Sequence, residues 1–315
     1  MIKTAFMTNH PATTAFSSQS GFSVIRAFAV KLLLALLMPV FLLQAEPAKQ
    51  PNELKLVVLA PDLVELLYSL DAGSQIIAAS EHSDHPEAAK ALLRVGNYAG
   101  LSLEKIVSLQ PDLILYWQSG TPAADIQRLK QLGFAVESFE SKSLEDIASH
   151  LLRLGAITGR NAKATALAAD FRHQLNQLKA QYQHKTALPV FYEIWDTPLS
   201  SVSASAWPAQ HLALCGATNV IQEPTNPYPQ LSVEQVMRVD PWLIIQPVSN
   251  NEPRTLFNWQ PFSGIKAVKN QQFIQPNSDL LHRATLRTLT GVQQLCLLID
   301  KSRQFYAQVS QGSGR

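Results

Sequence analysis

The sequence predicts an α/β protein of two lobes, each a parallel sheet with flanking helices, joined by one long α-helix. Three observations carry this reading. Short apolar runs alternate with helical segments through both halves of the chain, the pattern of parallel sheets covered on both faces. Between the halves, Asn161 to about Gln183 contains no glycine or proline and carries apolar residues at helical spacing. Finally, a fifteen-residue pattern occurs twice. LSLEKIVSLQPDLIL starts at Leu101 and LSVEQVMRVDPWLII at Leu231, identical at six positions.

Each element has a local cause. KLVVL from Lys55 is a strand, followed by a helix from Asp62 toward Leu70, a turn at Gly73 and the strand IIAA. In the first repeat Ser102 caps a helix, Glu104 sits in the first turn where the helix dipole favours an anion, and Pro111 ends the helix before the strand DLILY. A helix over Pro122–Leu132, the strand AVESF and a helix over Ser143–Thr158 complete the first half. The stretch from Asn161 places Leu167, Phe171, Leu175 and Leu178 on one stripe. Its 23 residues make a strut of about 34 Å. A connector that stiff favours a largely pre-formed cleft over wide hinge closure. The pattern resumes with PVFYEIW at Pro189, repeats the capped helix with Ser232, Glu234 and Pro241, and ends in a helix from Ala284 toward Phe305. The boundaries are therefore 46–158 for the first lobe, 159–187 for the connector, 188–310 for the second lobe and 311–315 for a tail.

Residues 1–45 stand apart from the fold. Lys3, Arg26 and Lys31 form a basic region without acidic residues, and Leu32–Leu43 an apolar run too short to span a bilayer. Leu43-Gln44-Ala45 then resembles a signal-peptidase site with cleavage before Glu46; the rival reading is a membrane anchor. Removing this segment takes three of 26 basic residues and leaves 23 against 24 acidic ones, so the formal charge of +2 becomes about −1. No basic cluster or basic–aromatic face remains to bind nucleic acid. Cys215 and Cys296 are the only cysteines. In an exported chain such a pair reads as a disulfide, with two buried thiols as the alternative.

Catalytic signatures are missing: the chain has no G-x-S-x-G, glycine-rich phosphate loop, H-E-x-x-H or C-x-x-C. The cluster Glu81-His82-Ser83-Asp84-His85 has residue types suited to zinc or to acid–base work, and a secreted metal-dependent enzyme built on it is the rival function. Its spacing is poor, because adjacent loop residues seldom converge on one point. Aromatic residues are better placed. Trp117 and Trp195 come just past strand ends, and Tyr228 precedes the second repeat. Ligands of open α/β sheets lie beyond the carboxyl ends of the strands, so these rings are expected to line one cleft. Asp279 and Arg283, in the loop after the strand QFI, can orient polar ligand groups; the alternative is an i,i+4 surface pair.

From about Leu54 to Asp300 the chain resembles the periplasmic vitamin B12-binding proteins of ABC importers. The resemblance is carried by S-D-H-P at 83–86, G-L-S-L-E-K-I-V-S-L-Q-P-D-L-I at 100–114 and V-F-Y-E-I-W-D at 190–196. P-Q-L-S-V-E-Q-V at 229–236, S-D-x-x-x-R at 278–283 and Q-Q-L-C at 293–296 complete it. The likeness implies two Rossmann-like lobes on a backbone helix, with cobalamin as transported ligand rather than cofactor, and a monomer working in the periplasm. It also implies roles. Trp117 matches a corrin-contacting tryptophan, Tyr228 takes the place of a tryptophan and His82 that of a tyrosine. Trp195 stands where some relatives are aromatic. Asp279 and Arg283 match residues at the ligand's edge, and Glu104 and Glu234 the acidic pair that docks on arginines of the permease dimer. Cys215 and Cys296 fall where relatives hold a disulfide. The histidine at 82 adds a candidate axial ligand to cobalt or haem iron, and the wider class also carries haem and siderophores.

Overall fold

The structure is a computed structural model and describes residues 50–223, 225–249 and 254–312. The expected export segment lies outside the described residues. From the amino end the first lobe comprises β1 (Leu56–Leu59), α1 (Pro61–Ser69), β2 (Ile76–Ala79), β3 (Leu93–Arg94) and the hairpin β4 (Gly96–Asn97) and β5 (Gly100–Leu101). It continues with α2 (Leu103–Leu109), β6 (Leu113–Trp117), α3 (Ala123–Gln131), β7 (Val136–Phe139) and α4 (Leu144–Thr158). The connector is α5 (Asn161–Tyr182). The second lobe holds β8 (Leu188–Asp196), β9 (Leu199–Ser201), α6 (Ala209–Leu214), β10 (Ala217–Asn219), α7 (Val233–Val239) and β11 (Leu243–Ile245). Last come α8 (Lys266–Lys269), β12 (Phe273–Ile274), α9 (Ser278–Leu281) and α10 (Thr288–Gly312).

The first sheet runs β3-β2-β1-β6-β7 with every neighbouring pair parallel. The second runs β10-β8-β11-β12, also parallel, with β9 antiparallel along β8. All four residues of β1 and all three of β11 are buried, as parallel strands covered on both faces must be. Because the strands of each lobe are parallel, their carboxyl ends share one edge. That edge carries residues 80–84, Trp117 and Glu140 in the first lobe, and Trp195, 247–249 and 276–283 in the second.

The two repeats fold alike but are capped differently. Ser232 accepts a hydrogen bond from the Gln235 amide at 3.3 Å, and the Gln235 side chain returns one from the Ser232 amide at 2.7 Å. Ser102, expected to cap in the same way, makes no side-chain cap. The repeat has Lys105 where the second copy has Gln235, so the reciprocal half of the box is missing. There, Asp125 from α3 accepts from the Leu101 amide at 2.9 Å instead. Both helices end on a left-handed residue, Gln110 or Asp240, immediately before the proline.

Along α5 the buried residues are Ala164, Ala168, Phe171, Leu175, Leu178 and Tyr182, at alternating steps of four and three. Leu167, expected on this stripe, is only partly buried and packs at its margin. The first two seam positions are alanines, where α4 passes close by. A Cβ on Gly155 would collide with that of Ala164. One hydrophobic cluster extends from β1 and α1 through α4 and α5 to β8, β11 and α10, so the two lobes share a core at their backs. On the surface side, Gln210 of α6 accepts from the Leu144 amide at 2.6 Å, so the second lobe caps α4 of the first. Cys215 and Cys296 form a disulfide, tying the end of α6 to α10. It closes a loop of 81 residues, which loop entropy values at roughly 4–5 kcal/mol.

Gly155→Val forces α4 and α5 apart. It is expected to lower unfolding free energy by about 1–3 kcal/mol while leaving far-ultraviolet circular dichroism unchanged. Urea denaturation of both forms checks this, and an unaltered midpoint would contradict the close crossing.

Candidate functional site

The carboxyl edge of the second sheet opens into a pocket of about 330 Å³, lined by Trp195, Ser249, Arg254, Asp279, His282 and Arg283 among others. Trp195 lies within β8 rather than beyond it, and is 59% exposed. Asp279 stands on the short α9, and Arg283 in the loop that follows it. They are not an i,i+4 pair. Asp279 accepts from Ser249 Oγ at 2.9 and 3.0 Å, whereas Arg283 reaches the other lobe.

His82, Trp117 and Tyr228 are not among the residues lining this pocket. All three are exposed. Trp117 is the last residue of β6, 46% exposed, and its ring lies where any side chain on Gly120 would be. Glu140 sits beside it, accepting from the Ser119 amide at 2.9 Å and the Ser119 hydroxyl at 3.0 Å. Tyr228 precedes α7 in the second lobe. Burial, with Glu140 adding to it, pushes that phenol above its ordinary value. His82 adopts a left-handed backbone, φ 64°, after β2.

The rest of the Glu81–His85 segment is committed elsewhere. Ser83 is buried with its carbonyl accepting from Arg94 at 2.8 Å, and Asp84 pairs with Arg283. Among the described residues no three His, Cys, Asp or Glu side chains are grouped to hold a metal.

The electrostatic centre lies between the lobes. Glu65 of α1 is 3% exposed. Its carboxylate receives Arg287 Nε at 2.8 Å and Nη2 at 2.6 Å, a two-pronged pair, and Arg283 Nη1 at 3.2 Å. The same Nη1 donates to Asp84 at 2.5 Å. Burial works against ionisation of Asp84, yet the hydrogen bond and charge of Arg283 hold its carboxyl below the ordinary value. Asp62, one turn from Glu65, is raised to about 6 by burial, with the Glu65 charge contributing. Arg283 Nε and Nη2 have no partner among the described residues, and its side chain lines the pocket. It ties the lobes with one nitrogen, Nη1.

A second buried carboxylate shapes the pocket wall. Glu193 in β8 is fully buried and accepts from Gln246 at 2.7 Å, Trp259 Nε1 at 2.9 Å and the Phe257 amide at 3.0 Å. Arg254 then spans the pocket edge, donating to the carbonyls of Pro247 at 2.9 Å and Ile194 at 2.8 Å. Glu65, Glu193 and Arg287, whose buried pairings shape this region, are residues that sequence reasoning missed. The usable signal was a lone charge inside an apolar run, LVELLYSL or VFYEIW, because such a charge needs a buried partner.

Glu104 and Glu234, which do not line the pocket, are exposed in the first turns of α2 and α7, at equivalent positions of the two lobes. The Ser232 hydroxyl holds Glu234 below its ordinary value.

Residues 56–280 match the model of the Periplasmic binding protein family, and the chain belongs to that family. It is a family of binding proteins, not enzymes. A vitamin B12-binding protein of Vibrio vulnificus is 39% identical over 255 residues, 81% of this chain and 91% of the relative. The crystal structure of the periplasmic vitamin B12-binding protein of Vibrio cholerae superimposes with a TM-score of 0.74 at 32% identity, covering 80% of this chain and 98% of that one. The periplasmic haem-binding protein HutB of Vibrio cholerae shares the fold, with TM-score 0.68 and 20% identity over 78% of this chain and 99% of that one.

Two outcomes follow from the charges. Glu65→Gln leaves Arg287 and Arg283 short of their buried partner and is expected to cost about 2–4 kcal/mol of stability, read as a lower urea midpoint. His211 is fully buried, with neither ring nitrogen bonded to a described residue, and burial pushes it down to about 3. A histidine with a folded value below its unfolded one of about 6.5 supports full stability above pH 6.5 and loses it as pH falls toward 3. The slope approaches about 1.4 kcal/mol per pH unit. His211→Leu should remove that slope, seen as a smaller difference between urea midpoints at pH 7 and pH 4.5 than the parent shows.

Proposed function

We propose that the protein captures cobalamin between its lobes in the periplasm and delivers it to the permease dimer of an ABC importer. The observation that carries this reading is the set of exposed rings, Trp117, Trp195 and Tyr228, at the carboxyl edges of both sheets around a pocket of hydrogen-bonding groups. Cobalamin is broad, flat across the corrin and fringed with amides, so it needs apolar faces together with polar edges. The vitamin B12-binding relatives, matched over most of their length, support the same choice.

Burying about 150 Å² on each of three rings contributes on the order of 10 kcal/mol gross, from which association costs of roughly 4–15 kcal/mol are subtracted. Tight binding therefore needs the polar contacts of Asp279 and Arg283 as well. His82 contributes a flat polar group beside the ring faces. The protein acts as a monomer that arrives by cleavage of an amino-terminal signal peptide near Ala45, carries no cofactor of its own, and holds cobalamin as cargo. Glu104 and Glu234 dock on the permease from matched positions of the two lobes, remaining ionised and solvated so that they assist encounter without making the complex permanent.

Isothermal titration of the purified protein with cyanocobalamin, haemin and a ferric siderophore tests the ligand. One-to-one binding of cyanocobalamin alone is the expected result, and preference for haemin would overturn the ligand while keeping the fold. Trp117→Ala and Tyr228→Ala should each weaken cyanocobalamin about tenfold. The double variant Glu104→Ala, Glu234→Ala should bind as the parent does yet fail to support uptake by cells. A loss of ligand affinity in that variant would refute the docking role.

A further inference from the structure

The pocket contains one side chain used by none of the roles above. His282 follows α9, and its ring is exposed into the space lined by Trp195, Asp279 and Arg283. Its Nε2 lies 2.8 Å from the hydroxyl of Tyr192, a residue of β8 with no exposed surface. Its Nδ1 has no hydrogen-bond partner among the described residues.

We propose that His282 is a ligand-contacting residue, donating a hydrogen bond from Nδ1 to an uncharged carbonyl oxygen, of the amide kind, on the edge of the bound molecule. The proposal rests on the reading of this cleft as the cobalamin site. Its chemistry follows from Tyr192. A buried hydroxyl proton left without an acceptor is costly, and among the described residues the Tyr192 hydroxyl has His282 Nε2 as its one acceptor. The phenol therefore donates to Nε2, and the proton of the neutral imidazole is left on Nδ1. Burial raises the Tyr192 phenol far above its ordinary value, so that proton is not lost. The recessed position of His282, with the Arg254 charge beside it, holds the imidazole below its ordinary value and keeps it uncharged. A ring in this state offers one N–H and no free nitrogen lone pair. It suits an amide oxygen, and it disfavours coordination of cobalt or iron.

Substitution separates the two nitrogens, because an asparagine amide nitrogen overlays Nδ1 and a glutamine amide nitrogen overlays Nε2. Titration of the purified protein with cyanocobalamin is expected to show His282→Ala and His282→Gln about tenfold weaker than the parent. His282→Asn should stay within about threefold of the parent, and Tyr192→Phe should weaken binding severalfold by releasing the tautomer. An unchanged dissociation constant in His282→Ala, with the parent binding normally, overturns the contact. Equal loss in the asparagine and glutamine variants overturns the Nδ1 assignment. A parent protein that does not bind cyanocobalamin overturns the reading of the cleft, and this proposal with it.

Discussion

Glu65 is a carboxylate set in the middle of the apolar helix α1, and nearly everything about the cleft depends on its partners. A charge so deeply placed cannot be left alone. It draws Arg287 and Arg283 from the beginning of the last segment of the other lobe, and Arg283 in turn draws Asp84 from the loop that carries His82. The lobes are thus fixed to each other by charge near the cleft, while the shared hydrophobic core around α5 fixes them at the back. Two connections of different kinds resist different motions. The apolar one is non-directional and opposes separation, whereas the paired guanidinium–carboxylate geometry opposes rotation. A pre-formed cleft is the consequence.

The same arrangement assigns Arg283 two duties that do not conflict. Its Nη1 serves both carboxylates, and its remaining donors face the pocket. Lysine could not divide its contacts in this way, since its three donors sit on one nitrogen at one point. Arg287 takes the larger share of the Glu65 carboxylate, with two of its nitrogens engaged.

Much of the fold was legible in the sequence, because its causes are local. Buried parallel strands such as LVVL and LII are continuous apolar runs, and prolines and left-handed caps stop both repeat helices at the same place. What escaped had causes outside the element concerned. Ser102 does not cap because Lys105 cannot close the box, a difference visible only by comparing the copies. Leu167 gave way to Ala168 on the buried seam because Gly155 lets α4 approach. At the site, Trp195, Asp279 and Arg283, singled out from the sequence, line one pocket, whereas His82, Trp117 and Tyr228 do not line it. The partners of Arg283 were not legible, since Glu65 lies 218 residues away and only packing brings them together.

The distribution of polar groups in the pocket says what kind of molecule it can hold. Fixed charges are mostly neutralised within the protein: Glu193 by its three hydrogen bonds and Arg254, Glu65 by two arginines, Asp84 by Arg283. What lines the pocket besides these is the Ser249–Asp279 pair, in which a carboxylate is held by a hydroxyl, the side chain of Arg283 and the imidazole of His282. A carboxylate-rich ligand would call for surplus positive charge, and a bare metal for a cluster of anionic or imidazole donors. An uncharged rim of amides around a broad apolar face makes neither demand. It asks for directional hydrogen bonds held in place by neighbouring groups, which is what Tyr192, Glu65 and Ser249 supply to the residues in front of them.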